Sequence, residues 1–231
     1  MSTVDRPETR ALPPLVDGER LDQATFHVRY AAMGEGKWAE LVGGIVFMTS
    51  PLFDDHGGGD FNLNGWLFHY SRFTPGVRGV SNVSTVLGDD SEVQPDEQLR
   101  ILEGYGGQAQ VAGGYVVGAP ELVVEVGKSS RKLDLGAKKA AYEQAGVVEY
   151  LFAGIDPPDV RWFVRRDGRF VAMAPDADGI LRSEVFPGLW LDPRALIAGN
   201  PEDLIAALER GLATPEHAAF VARLAARAAE G

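Results

Sequence analysis

The 231-residue chain has no cysteine, which excludes disulfides and thiolate metal sites and leaves oxygen or imidazole as metal donors. Histidine is scarce: His27, His56, His69 and His217 are scattered and no HExxH occurs, so a polyhistidine zinc site finds no support. No apolar run approaches the roughly 18 residues of a membrane span. The first 21 residues, MSTVDRPETRALPPLVDGERL, lack the basic start and apolar stretch of a signal peptide. A cytoplasmic protein without a membrane partner is the expectation. There is no GxSxG for a serine hydrolase. GKSS at 127–130 fails as a phosphate loop because Leu122 stands where that motif needs glycine, and Tyr115 interrupts the dinucleotide spacing of Gly113, Gly114 and Gly118.

Positive charge is also in deficit. The net charge of −11 opposes a protein that coats nucleic acid through phosphate contacts. The deficit is uneven, because residues 128–170 hold nine Lys and Arg against six Asp and Glu. A modest basic zone follows directly after Glu125 in the sequence.

What is present suffices for a sizeable core, at 45% hydrophobic content. One domain with terminal additions is expected: an arm over 1–21, a main domain over 22–197 and a C-terminal helical extension over 198–231. A helix is predicted over 22–33 and a hairpin over 40–49 turning at Gly43-Gly44. A helix with one buried face follows, using Phe61, Leu63, Trp66, Leu67 and Tyr70. Residues 80–87 and 97–102 read as two strands joined by the turn-rich GDDSEVQPD, and the glycine-rich 104–119 as a mobile loop over a site. The apolar run 122–126 suits a strand covered on both faces. A helix follows, capped by Ser129 or Ser130 and stopped by Gly146, and then a strand over 147–153, which gives an α/β crossover. Residues 160–164 and 170–174 flank the hairpin turn Asp167-Gly168, and the alanine-rich tail from Pro201 reads as a packing or dimer helix.

Two acids stand beside apolar strands: Asp96 in VQPDEQLRI and Glu125 in ELVVEV. An ionised carboxylate in low dielectric must be exposed, protonated or paired. If the two strands are neighbours, the acids converge, and such a pair completed by waters and a phosphate suits Mg²⁺ or Mn²⁺. Asp134, Lys138 and Tyr142, spaced by four, share one helical face that can look back at the strand ends. A lysine there could hold a water or neutralise charge growing on a phosphate. Structural readings stand beside these. Glu125 could pair with Arg131 or Lys132, Asp96 could be a turn residue after Pro95, and Lys138 could form a helix ion pair with Asp134. His56 and Glu40 would then be surface residues.

The ordered set ELVGGIVFMTSPLFDDH, VQPD, APELVVEVGKSSRKLDLGAKKAAYEQAGVVEYLF and SEVFPGLWLD resembles the Uma-two family of "putative restriction endonucleases" in the PD-(D/E)xK nuclease superfamily, over about residues 40–192. The resemblance implies a restriction-endonuclease-like mixed β-sheet flanked by helices. It makes Asp96 and Glu125 the motif acids, Glu40 an acid from an earlier element, His56 the histidine after the SP-containing turn, and Lys138 the lysine of D-x-x-x-K-x-x-x-Y, with Asp134 and Tyr142 in support. The chain departs from the superfamily two residues after the acid, where Gly127 replaces lysine; Lys128 would point to the opposite face of a continuing strand. The implied activity is endonucleolytic hydrolysis of DNA: Asp96 and Glu125 bind Mg²⁺ or Mn²⁺, Glu40 and His56 support metal or water, and Lys138 stabilises the transition state. The alternative is a catalytically inactive nuclease-like interaction or scaffold module. A homodimer through the tail belongs to either reading.

Overall fold

In the computed structural model the described residues are 12–34, 37–48 and 54–230, with the side chains of 54–57 outside that set. Most of the N-terminal arm and the side chain of His56 therefore lie outside the described residues. Helix α1 (Gln23–Ala31) begins where Asp22 accepts a hydrogen bond from the Thr25 N–H. Strands β1 (Ala39–Val42) and β2 (Ile45–Met48) form the expected hairpin, with Gly43 and Gly44 at φ 56° and 75°. Helix α2 (Asp54–Arg72) leads to β3 (Val77–Ser81), β4 (Thr85–Gly88), β5 (Ser91–Val93) and β6 (Glu97–Ile101).

The strand expected over 80–87 is thus two strands in two different sheets. Asn82 adopts the left-handed conformation at φ 51°, and its N–H bonds back to the Pro95 and Asp96 carbonyls, which turns the chain from one sheet to the other. The segment expected as turn alone likewise contains β5, whose Ser91, Glu92 and Val93 are all buried. The expected mobile loop over 104–119 is a short 3₁₀ turn followed by the hairpin of β7 (Gln110–Ala112) and β8 (Tyr115–Val117). Its glycines are spent on geometry: Gly113 and Gly114 supply φ 60° and 92° for the turn.

The interior strand β9 (Leu122–Gly127) follows. After it come α3 (Arg131–Leu133), a π-helical turn (Asp134–Lys138) and α4 (Lys139–Ala145), which stops at left-handed Gly146. Ser130 occupies the N-cap position without capping the helix backbone; its hydroxyl serves the Asp134 carboxylate. Strands β10 (Glu149–Ile155), β11 (Pro158–Arg166) and β12 (Arg169–Ala172) continue the sheet. The pair β13 (Leu181–Arg182) and β14 (Trp190–Leu191) and helices α5 (Pro193–Ile197), α6 (Pro201–Leu212) and α7 (Pro215–Glu230) complete the described chain.

The main sheet runs β12-β11-β10-β9-β6-β3, with β9 and β10 parallel as the crossover predicts. A second six-stranded sheet, β2-β1-β5-β4-β8-β7, accompanies it. Strand periodicity divides β9 between two cores. Leu122, Val124 and Val126 pack with Leu63, Trp66 and Leu67 of α2 in the larger core, to which the tail contributes Leu204, Leu208, Phe220 and Leu224. Val123 belongs to the opposite core, with Tyr142 of α4, Val147, Tyr150 and Phe152, and with Val42 and Val93 of the second sheet. Each fully buried aliphatic or aromatic side chain contributes about 1.5–3 kcal/mol. Glu125 is the next residue on that second face.

The tail docks through glycine. A Cβ on Gly211 of α6 would stand 2.2 Å from the Gly188 carbonyl oxygen, whereas one on Gly65 of α2 meets nothing within 4 Å. Gly211→Ala is expected to lose about 1–3 kcal/mol of stability by overpacking. Gly65→Ala is expected to gain about 0.5–1 kcal/mol from helix propensity. Urea unfolding of both variants checks the pair.

Candidate active site

The Glu125 side chain leaves β9 between Val124 and Val126, on the face turned toward α4 and the second sheet, and is only 3% exposed. Its partner is Lys138, whose Nζ lies 2.7 Å from Oε1. The same ammonium donates to both oxygens of Glu40, at 3.0 and 3.2 Å. Glu40 comes from β1 in the second sheet and also accepts the Gln94 N–H at 2.7 Å. Tyr142, one turn after Lys138, donates its hydroxyl to Glu125 Oε1 at 2.5 Å. The helical spacing of Asp134, Lys138 and Tyr142 thus puts three buried polar groups on one face.

The π-helical turn ends on Lys138, a local departure of the kind that recurs at functional sites. Arg131, weighed as a structural partner for Glu125, is committed elsewhere: its guanidinium grips Asp159 at 2.6 and 2.7 Å. Lys132 and Lys128 are exposed. Among the described residues Glu125 therefore pairs with the helix-borne lysine and not, as the strand-end reading had it, with Arg131 or Lys132.

Asp96 precedes β6, and its Oδ2 accepts the Val126 N–H at 2.7 Å. The side chain extends the β6–β9 ladder past the last main-chain pair, Glu97 opposite Val124. This contact holds Asp96 at the end of the strand pair, close enough that its charge disfavours ionisation of Glu125. The two strands are neighbours, as convergence of the acids requires.

Four carboxylates, Glu40, Asp96, Glu125 and Asp134, act on one ammonium. Burial opposes the charge on Lys138, but Glu125 foremost and then the other acids outweigh it and hold its pKa above the usual lysine range. Burial pushes the Glu125 carboxyl well up, with Lys138 acting against that rise. Burial likewise lifts Asp134 to about 6, with Lys138 and the Ser130 hydrogen bond opposing it. Asp134 Oδ2 is buried without a hydrogen-bond partner, and the Tyr150 hydroxyl bonds its main-chain oxygen. An excess of buried negative charge and an orphaned acid oxygen fit a hard divalent cation that needs only one or two carboxylates and keeps its waters. Among the described residues, no group of three or more acids or histidines forms a ready-made cage.

Reading the sequence alone passed over Glu97 and Asp60. Glu97 is 1% exposed, and Asp60 of α2 lies against its carboxyl. The available signal was the polar run Glu97, Gln98 and Arg100 inside a strand covered on both faces.

The profile of the Uma2 (Uma-two) family, described as "Putative restriction endonuclease", matches residues 24–194. Among solved structures, a protein from Anabaena variabilis ATCC 29413, described as a putative nuclease belonging to DUF820, superposes with a TM-score of 0.56 at 14% identity. The match covers 75% of this chain and 97% of that one, and the likeness is one of fold. No functionally curated protein matches the chain.

Lys138→Met removes the cation shared by Glu125 and Glu40 and is expected to lose about 3–5 kcal/mol at neutral pH. Glu125 has a folded pKa above its unfolded one, so its uncompensated burial destabilises more as pH rises above the unfolded value near 4.5. The deficit of Lys138→Met against wild type should therefore be larger at pH 8 than at pH 5, and adding Glu125→Gln should shrink it. Denaturant melts at the two pH values check both.

Proposed function

The chain belongs to the Uma2 family of "putative restriction endonucleases", and from that premise we propose that the Glu40, Asp96, Glu125 and Lys138 cluster is the centre of a metal-dependent endonuclease acting on DNA. The observation that supports it is the ammonium of Lys138 held 2.7 Å from Glu125 in an interior that also holds three further acids. A buried array of that kind stabilises a fold poorly compared with apolar packing, so a chemical use for it is the economical account.

Asp96 and Glu125 would hold Mg²⁺ or Mn²⁺, which when bound supplies positive charge to a phosphate and acidity to a water. Lys138 presents an ammonium that stays protonated and can neutralise charge growing on a phosphate oxygen. Tyr142 fixes the rotamer of Glu125 by its hydrogen bond, and Glu40, itself fixed by the Gln94 N–H, fixes Lys138. Asp134, with its pKa lifted to about 6, is suited to take a proton from an attacking water near neutral pH. Phosphodiester hydrolysis calls for on the order of 20 kcal/mol of barrier reduction, which positioning and electrostatics must share.

A second reading, an inactive nuclease-like module, draws on the surface. Arg131 and Arg161 pair with Asp159, Arg166 with Glu184 and Arg169 with Glu143, so much of the basic zone is already neutralised.

The test is plasmid DNA incubated with the protein and Mg²⁺ or Mn²⁺. Nicking or linearisation is expected, with a rate loss of about 10²–10³-fold or more in Glu125→Gln, Asp96→Asn and Lys138→Met. In thermal melts, Mn²⁺ at 100 times its Kd should stabilise wild type by about 2.7 kcal/mol. Cleavage that survives Glu125→Gln, or an unchanged melt at millimolar Mn²⁺, favours the inactive module.

A further inference from the structure

Strand β3 is an edge of the main sheet and pairs there with β6. The register sets Arg78 directly across from Arg100. Residues directly opposite in an antiparallel pair leave the sheet on one face, with Cβ atoms about 4.5–5.5 Å apart, and like charges so placed repel each other. Burial first, and then the neighbouring charge of Arg78, lowers the proton affinity of Arg100.

Among the described residues neither arginine makes a hydrogen bond or an ion pair. Arg100 is 3% exposed, and its Nε is buried without an acceptor. Arg78, at the sheet edge, is exposed. The acid that acts on Arg100 is Glu121, whose oxygens are taken by main-chain donors: Oε2 accepts the Ile101 N–H at 2.8 Å and Oε1 the Gln108 N–H at 3.0 Å. One carboxylate offsets at most one of the two positive charges. Nor is the pair unpartnered for want of acids, since the net charge is −11 and Arg29, Arg131, Arg182 and Arg194 each hold a carboxylate.

A buried guanidinium without an acceptor, set against a second guanidinium, destabilises a fold. An oxyanion between the two supplies the acceptors both lack, and the planar fork of donors on each arginine matches phosphate oxygens two at a time. We infer that Arg78 and Arg100 form a phosphate-binding site at the β3 edge of the main sheet, with Arg100 as the buried anchor and Arg78 as the exposed second fork. Glu121 lies four residues before Glu125, which at strand spacing is about 13 Å, so the site is separate from the Lys138 cluster. The phosphate is either a free ion or one along a nucleic-acid backbone. Binding at this site does not depend on the endonuclease reading.

The experiment is calorimetric titration of the full chain without divalent metal, at constant ionic strength in chloride. The probes are inorganic phosphate and a short DNA duplex, and thermal melts with and without phosphate accompany them. The proteins are wild type, Arg78→Gln, Arg100→Gln and Lys138→Met. Arg78 is exposed, so Arg78→Gln keeps the test open should Arg100→Gln fail to fold. Wild type is expected to bind one phosphate, and Arg78→Gln to weaken it by roughly tenfold or more. Removing one of two facing cations should also raise the melt of Arg78→Gln without phosphate, whereas added phosphate should raise the wild-type melt and leave that of Arg78→Gln nearly unchanged. Weakening of both probes in Arg78→Gln assigns the site to a backbone phosphate, and weakening of inorganic phosphate alone to a free ion. A wild type that binds neither probe overturns the site, as does binding of both that is unchanged in Arg78→Gln. Phosphate binding lost in Lys138→Met and kept in Arg78→Gln places the anion at the candidate active site and also overturns this one. Phosphate binding lost in Arg78→Gln and kept in Lys138→Met upholds it, whether or not the protein cleaves DNA.

Discussion

The ammonium of Lys138 is the joint on which this structure turns. It is 4% exposed and touches Glu125 of the main sheet and Glu40 of the second sheet, while its own helix packs between them. Remove that charge and two carboxylates from two sheets face each other in an interior that neither can leave. The pairing therefore fixes where α4 sits and how the second sheet approaches the first. A hydrophobic residue at any one of the three positions would break the match, whereas replacing all three together could be neutral.

The same joint governs the electrostatics around it. Four acids act on its one positive charge. The consequence is graded. Glu125, in direct contact with the ammonium, still has its carboxyl pushed up by burial. Asp134, which contacts it only through space, is held near 6. Burial thus raises the proton affinity of both acids beside a lysine that stays charged, which is an ingredient of acid–base chemistry.

Much of this was legible before any coordinates. The 3.6-residue period placed Asp134, Lys138 and Tyr142 on one face, the interruption of an apolar strand by Glu125 marked a buried charge, and the pairs Gly43-Gly44 and Asp167-Gly168 marked hairpins. What escaped depends on long-range pairing. Nothing local to Val80–Leu87 says that Asn82 carries the chain from one sheet to another, and glycine clusters between 104 and 119 read equally as loop or hairpin until a partner strand is known. Glu40 was visible as an acid, but its contact with Lys138 spans 98 residues and two sheets. Glu97 was obscured for a different reason. It follows Asp96 directly, and the period of two sends adjacent residues to opposite faces, so a single motif feeds two separate environments.

That alternation gives the acids their arrangement. Main-chain pairing of β6 with β9 ends at Glu97 opposite Val124, and the next rung is made by the Asp96 side chain on the Val126 N–H. A carboxylate that replaces a main-chain carbonyl in a ladder lies close to the plane of the sheet. Asp96 is therefore adjacent to both faces, and its charge is felt by Glu125 on one side and by Glu97 on the other. A valine at 125 would fill the second core as Val123 does, and an apolar residue at 97 would fill the first as Leu99 does. The chain instead places an acid on each face beside the one carboxylate that both faces share. Packing does not account for that choice, since apolar residues would satisfy it better.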